Sequence, residues 1–500
     1  MWIGLLPLLA SGTATHDVRA YGARGDGVAK DTAPIQAAID AASKEGGGVV
    51  LLPQGRYVSG TLHLKSHVTI EVRAGATLLA SPDEKDFDPY EELGFERVDD
   101  RETSYFHYAL LAGENVEHVT ISGSGIIEGN RPKRGGPKPI ALKNCRYVSI
   151  QGVTVRNSPN YAVSFLGCDY VDVDRVTVLN SYADGIDPDS SRYVRISNCY
   201  VDSWDDAICP KASRALGRPR STEHLTVTNC VLRTSCNHFK FGTESAGDFK
   251  NIAVTNCVML RRETGRAAIS GISLESVDGS HIDGVAISNI TMQDVRTPVF
   301  LRLGNRGRGL NPPTPGSLRN VTISNIVANG GVMASSVSGI PGFPVRNVTL
   351  DNLNVTMGGK GVFQVLDVPE HIAKYPEAAM FGELPAYALY ARHVEGLTVR
   401  NLKARWLEED GRPAVVMDDV RDMELLAFRS DSPGGAPVLL FHQVVGALIQ
   451  GSRVTRDTGV FLRVSGDRSG EISLAGNDLR RARAAVETAA EVAKGAAAER

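Results

Sequence analysis

The 500-residue chain has no run of 18 apolar residues, which excludes a membrane-spanning helix. It has no excess of either charge: 54 Lys and Arg stand against 57 Asp and Glu, a formal net charge of −3. Near neutrality argues against a nucleic-acid binder that works by neutralising phosphates. Aromatic residues are few, at 6%, but 42% of residues are hydrophobic and 22% charged, which excludes wholesale disorder. There is no CxxC among the seven cysteines, so a zinc ribbon is not indicated. The cysteines all lie between Cys145 and Cys257, four of them directly after Asn, and read as buried free thiols acting as small core residues. Their odd number leaves at least one free or shared between chains.

What the chain does have is a phrase that keeps returning: a short strand of alternating apolar and polar residues, then Asn, then a second short strand. Examples are Arg192-Tyr-Val-Arg-Ile-Ser-Asn, Asp283-Gly-Val-Ala-Ile-Ser-Asn and Arg319-Asn-Val-Thr-Ile-Ser-Asn. The first apolar residues of the phrases serve as anchors: Val119, Val148, Val171, Val194, Leu225, Ile252, Val285, Val321, Val348 and Leu397. Period-2 alternation with β-branched residues predicts strands. A repeat of this size predicts a solenoid in which each coil buries its neighbour. The variable period with one constant strand suits an all-β, single-stranded, right-handed parallel β-helix whose insertions are loops. No regular Leu/Asn consensus supports leucine-rich repeats. The shortest repeats barely hold the four strands of a propeller blade. The recurring Asn is expected to form an amide ladder at a corner of the coil, by analogy with stacked Asn in cross-β structures.

One architecture therefore replaces the several domains that length alone would suggest. Residues 1–15 begin MWIGLLPLLA and read as a signal peptide or apolar N-terminal segment, which implies a secreted or periplasmic protein. Residues 16–480 form the β-helix. Residues 481–500 are Ala-rich and charged and read as a helical or frayed tail. Within Asp31–Lys44, Ile35, Ala38, Ile39 and Ala42 have helical spacing. Asp31 or Thr32 can cap that helix and Gly46-Gly47-Gly48 end it. It would cover the open end of the solenoid, whose strand edges otherwise invite aggregation. The acidic and aromatic stretch Pro82–Tyr105 can form one wall of a cleft.

Counted from the anchors, Asn160, Asp184, Asp205, Asp206 and His238 fall at nearly the same offset, 11 to 13 residues on. In a stack of coils they converge on one face. Three carboxylates and an imidazole gathered there push one carboxyl upward. Two carboxyls with separated pKa values are what acid/base cleavage of a glycosidic bond needs.

Three motifs, Asn157-Ser-Pro-Asn-Tyr, Ala183-Asp-Gly-Ile-Asp and Trp204-Asp-Asp-Ala-Ile, resemble the core motifs of glycoside hydrolase family 28, the polygalacturonases. The opening, Val18-Arg-Ala-Tyr-Gly-Ala-Arg-Gly-Asp-Gly and Gly47-Gly-Val-Val-Leu-Leu-Pro, is similar to that of pectin-degrading β-helix enzymes more widely. The resemblance implies an inverting hydrolase acting on a pectic polysaccharide or oligosaccharide, with no metal or organic cofactor. Asp205 would be the general acid, Asp184 and Asp206 would activate water, and His238 would tune the acid.

The chain also departs from that family. Its Arg-Ile-Lys, which grips a uronate, aligns with Ser273-Leu274-Glu275, and Glu275 would repel galacturonate. Lys211 and Lys240, or Arg302, Arg306 and Arg308 on a later loop, can substitute. Alternatively Glu244 and Glu275 hydrogen-bond the hydroxyls of a neutral sugar. Asn160 and Tyr161 are further candidates for contact with substrate. Three other readings stand beside hydrolysis: a lyase with Lys211 as base, a non-catalytic glycan-binding solenoid, and a calcium site at Asp184, Asp187 and Asp189.

Overall fold

The computed structural model describes residues 14–364 and 367–499. The chain winds into a right-handed parallel β-helix. The returning phrase supplies one strand per coil, and all ten anchors stand in register. Val119 pairs with Val148, Val148 with Val171, Val171 with Val194 and Val194 with Leu225. The row runs on through Ile252, Val285, Val321 and Val348 to Leu397. Every anchor is at most 2% exposed. Apolar positions of the period-2 pattern thus fill the interior, and each coil covers the next.

The Asn that closes the phrase has a backbone reason. Asn198, Asn229, Asn256, Asn289, Asn325 and Asn352 all have φ between +55° and +57°. Asn tolerates this left-handed turn better than other residues with a Cβ. Their amides also join coil to coil: Asn289 donates to Asn256 (3.2 Å), Asn325 to Asn289 (3.0 Å) and Asn352 to Asn325 (2.8 Å). The expected corner ladder is present. Asn325→Ala should cost about 2 kcal/mol through left-handed strain and two lost bonds, read as a lower urea midpoint.

The N-terminal helix spans Thr32–Lys44, and the four residues expected to face inward are fully buried. Asp31 precedes it but makes no side-chain cap. Its carboxylate instead accepts from the backbone N–H groups of Arg24 (2.7 Å) and Gly25 (3.0 Å). The C-terminal expectation fails. Residues 482–488 and 497–499 form strands, not a helix or frayed tail. The anchor row continues through Met423, Ala447 and Ile472 to Ala497. An open sheet edge satisfies the backbone of these alanines, and this outweighs their helix propensity. All seven cysteines are free and buried. The apolar segment expected at the N-terminus lies, up to residue 13, outside the described residues. Among the described residues no helix is long and apolar enough to cross a membrane.

Another face of the coil carries the acids. Strands Lys138–Lys143, Val163–Leu166 and Ile186–Asp189 pair in parallel. Single bridges, Ile186 to Ile208 and Ile208 to Phe239, extend this ladder to strand Asn237–Lys240 and then to Ala268–Ser276.

Candidate active site

That ladder sets which residues share a row. With Ile186, Ile208 and Phe239 in register, Asp184, Asp206 and Asn237 stand on successive coils, followed by Ser270. Asp184 lies one residue farther from its anchor than Asp206 does. The extra residue is a bulge between Val178 and Ser181. A buried row of hydroxyls, Ser181, Ser203 and Thr234, lies three residues before these side chains. Ser181 donates to the carbonyl of Asp184 (2.9 Å) and Ser203 to that of Asp205 (2.7 Å). Each hydroxyl closes the turn that swings an acid outward. Gly185 is needed for close approach: a Cβ there would lie 2.5 Å from the carbonyl oxygen of Ala207.

Each acid is held by the next coil. Asp184 accepts from the backbone N–H of Asp206 (3.2 Å) and from Lys211 Nζ (2.9 Å). Asp206 accepts from the backbone N–H (3.0 Å) and amide (2.8 Å) of Asn237, whose own oxygen takes a bond from Ser270 (2.6 Å). Lys240 Nζ lies 3.3 Å from Asp206. Oxygens of Asp184 and Asp206 come within 4.8 Å of each other, as do those of Asp205 and Asp206. Asp205 is the accessible member, its side chain 27% exposed, and Arg134 Nη1 contacts it at 2.5 Å.

Burial and the neighbouring Asp187 push the Asp184 carboxyl well above its usual range, against the pull of Lys211. Asp187 is pushed up to about 7, chiefly by burial. Burial also works to raise Asp206, but Lys240, Lys211 and the Asn237 amide outweigh it and hold this carboxyl below its usual range. Burial and partners thus separate the two: Asp206 is favoured as the carboxylate, and Asp184 is the more basic of the pair, a separation of the kind acid/base chemistry uses.

The remaining candidates sort differently. Lys211 and Lys240 are at the site but buried, each an ammonium partner of an aspartate. The calcium reading fails on the same ground. Lys211 Nζ occupies the place between Asp184 and Asp187 (2.9 and 3.3 Å), while Asp189 turns away to Ser213. Tyr161 is buried, its ring 4.6 Å from Lys211 Nζ, so it supports the lysine instead of facing substrate. Asn160 is buried too, and its amide donates to the carbonyl of Gly136 (3.1 Å). His238 lies one residue past the acid row. Its ring nitrogens meet the carbonyls of Ser270 and Leu260, both at 3.0 Å, and neither meets Asp205 or Asp206. Burial lowers its pKa against the two carbonyls, which raise it, and the ring is a structural group tied to the backbone.

Glu275 is fully buried beneath the site and accepts from Ser273 (2.7 Å), with no ion pair to Arg302 or Arg266. Burial pushes its carboxyl up to about 8. It is therefore neutral at pH 7, and the expected repulsion of a uronate disappears. Glu244 is buried, 3.6 Å from Arg308. Arg302 is on strand Val295–Leu303, not on a loop, and is bound to the backbone carbonyls of Gly339 (3.0 Å) and Glu370 (2.7 Å). It does not reach the acids because those carbonyls hold its guanidinium.

Sequence reasoning missed Asn237, Arg134, Glu102 and Tyr375. Asn237 had a signal, the constant three-residue step from a Ser or Thr. The other three had none, because they arrive on insertions. Thr103 Oγ1 meets Tyr161 OH at 3.4 Å, so the stretch around residues 99–105 walls one side as expected. Tyr375, from the insertion after residue 357, has its ring 5.5 Å from Lys240 Nζ on the other side.

The model of "Glycosyl hydrolases family 28" matches residues 49–374, and that of "Rhamnogalacturonase A/epimerase, pectate lyase-like" matches residues 15–78. The chain is 26% identical over 373 residues to a protein of Vitis vinifera described as "Probable polygalacturonase", covering 68% of this chain and 74% of that one. It is 24% identical over 300 residues to an endo-polygalacturonase of Pectobacterium carotovorum, covering 54% and 71%. In fold it is similar to the family 28 exopolygalacturonase of Yersinia enterocolitica, with a TM-score of 0.63 at 19% identity over 83% of this chain and 78% of that one. The chain belongs to glycoside hydrolase family 28, a polygalacturonase-type family of polysaccharide-cleaving enzymes.

Proposed function

We propose that this enzyme hydrolyses glycosidic bonds of a galacturonate-containing pectic polysaccharide or oligosaccharide, with inversion. The observation that carries this reading is the split among the acids: an accessible Asp205 beside a buried, ionised Asp206 and a raised Asp184. Asp205 gives its proton to the leaving glycosidic oxygen as the bond to the anomeric carbon breaks. A water on the opposite face forms the new bond to that carbon and loses its proton to Asp206, assisted by Asp184. One water is consumed, and one new reducing end appears. Inversion rests on the likeness to family 28 and not on this spacing: oxygens of Asp205 and Asp206 lie within 4.8 Å, closer than the roughly 6.5–9.5 Å between acid and base in inverting enzymes, and NMR of the first-formed anomer tests it. Glu275, buried and with its carboxyl pushed up to about 8, does not oppose a uronate at the adjoining subsite.

The lyase reading loses its base. Lys211 is 3% exposed, and Asp184 and Asp187 hold its ammonium charged, well above its usual pKa. The test follows reducing ends and near-ultraviolet absorbance together on polygalacturonate and rhamnogalacturonan. New reducing ends without absorbance are expected. Rising absorbance would make the protein a lyase, and neither signal would favour glycan binding alone. We also propose action outside the cytoplasm, on the apolar residues Met1–Ala10 and a polymeric substrate.

A further inference from the structure

The acid Asp205 does not stand free. Arg134 Nη1 lies 2.5 Å from its Oδ2, while the Nε of the same guanidinium lies 2.9 and 3.1 Å from the two oxygens of Glu102. Glu102 therefore holds one edge of the guanidinium and Asp205 the other. Arg134 is itself 44% exposed at the mouth of the site. Its loop is pinned to the coil: Gly129 N–H donates to the carbonyl of Arg156 (2.8 Å), Gly135 N–H to that of Pro159 (2.8 Å), and the Asn160 amide to that of Gly136 (3.1 Å). Asn160, which was expected to touch substrate, thus fixes the loop that carries Arg134.

Two facts make this contact more than a surface ion pair. First, Asp205 must take up a proton to act as an acid, and a protonated carboxyl no longer matches the guanidinium. The Nη1 edge then needs another carboxylate, and planar, bidentate-capable Arg is suited to one. Second, the other cations near the acids, Arg266 excepted, are buried or paired with carboxylates. Lys211, Lys240 and Arg302 are at most 3% exposed. Arg306 is paired with Asp278, and Arg308 lies between Asp100 and Glu244. Arg266 is exposed, with its Nε on the carbonyl of Ser235.

We propose that Arg134 is the specificity-determining residue that reads a galacturonate carboxylate beside the scissile bond, exchanging Asp205 for it. Seating the uronate then releases the acid, so a carboxylate-bearing sugar both binds and arms the site, and an esterified one does neither. This rests on the hydrolase reading above and replaces the Arg-Ile-Lys grip that Ser273-Leu274-Glu275 cannot supply.

The test uses tetragalacturonate and its methyl ester with the full chain. Calorimetry compares Asp205→Asn with Asp205→Asn/Arg134→Gln. The single variant should bind tetragalacturonate at least about tenfold more tightly than the double variant, with no difference for the ester. In the otherwise intact enzyme, Arg134→Gln should lower kcat/KM on the acid about 10- to 100-fold, largely through KM, and should not lower it on the ester, for which the variant frees Asp205 from its guanidinium partner. Arg134→Lys should restore part of the loss. Urea midpoints of all variants verify folding. Equal affinity of the two Asp205→Asn proteins for tetragalacturonate would overturn the proposal. So would equal losses on acid and ester, which mark a merely structural role. Wild type that leaves every pectic substrate intact would overturn the hydrolase reading, and the proposal with it.

Discussion

Asp205→Asn is expected to lower kcat on polygalacturonate by about 10²–10⁴-fold while leaving the urea midpoint near wild type. The two halves of this expectation come from different atoms. The backbone carbonyl of Asp205 receives bonds from the hydroxyls of Ser203 and Thr234, and these hold the turn. The substitution leaves them in place. The carboxylate is partly exposed and its contact is with Arg134, also partly exposed, so removing its charge costs little stability. An amide has no proton to give to the leaving oxygen, so only chemistry suffers. A substrate whose leaving group needs no protonation should recover most of the rate, which separates lost acid catalysis from lost binding. Wild-type turnover in this variant would sink the assignment of the acid. Asp206→Asn is a poorer probe. Its buried carboxylate accepts from Asn237 and faces Lys240, so the variant loses stability and activity together.

How much of this was legible in the sequence depends on how often each position repeats. The anchors from Val119 to Leu397 recur because every coil must present an apolar residue there, and the structure pairs all ten. The helix at Thr32–Lys44 was equally plain, since its periodicity faces one core. Past Leu397 the β-helix was expected as far as residue 480 but without anchors, because Met423, Ala447 and Ile472 lack the following Asn, and only the last coil, with Ala497, was misread as a tail. Asp184, Asp205 and Asp206 were found by offset, and His238 was misread by the same offset. The bulge after Val178 shifts one coil by a residue, and the true row passes through Asn237 and not His238. Glu275 was read as a charge facing substrate, because a sequence shows a carboxylate but not its burial. Arg134 and Tyr375 come from insertions, whose path no repeat dictates.

Lys211→Met should destabilise the protein by about 3–5 kcal/mol, a larger effect than any surface ion pair would give. The ammonium sits 2.9 Å from Asp184, 3.3 Å from Asp187 and 3.3 Å from Cys209 Sγ, above the ring of Tyr161. Methionine keeps the stem's volume and removes the charge, so the loss is electrostatic. Two buried carboxyls are then left without their cation, beside an Asp206 that also draws on it. They must take up protons for the chain to stay folded. Their folded-state pKa values are already raised and will rise further, so the stability they allow is present at low pH and is lost as pH climbs through those values. Asp187 stands at about 7 with the lysine in place, so the deficit should be larger at pH 8 than at pH 5. Urea midpoints at the two pH values check this. Adding Asp187→Asn should recover much of the loss, because it removes one of the charges the lysine neutralised. A lyase base at this position predicts the opposite pattern: activity abolished, with stability indifferent to both the substitution and the pH. The two readings of Lys211 are thus separated by a folding measurement, without any substrate.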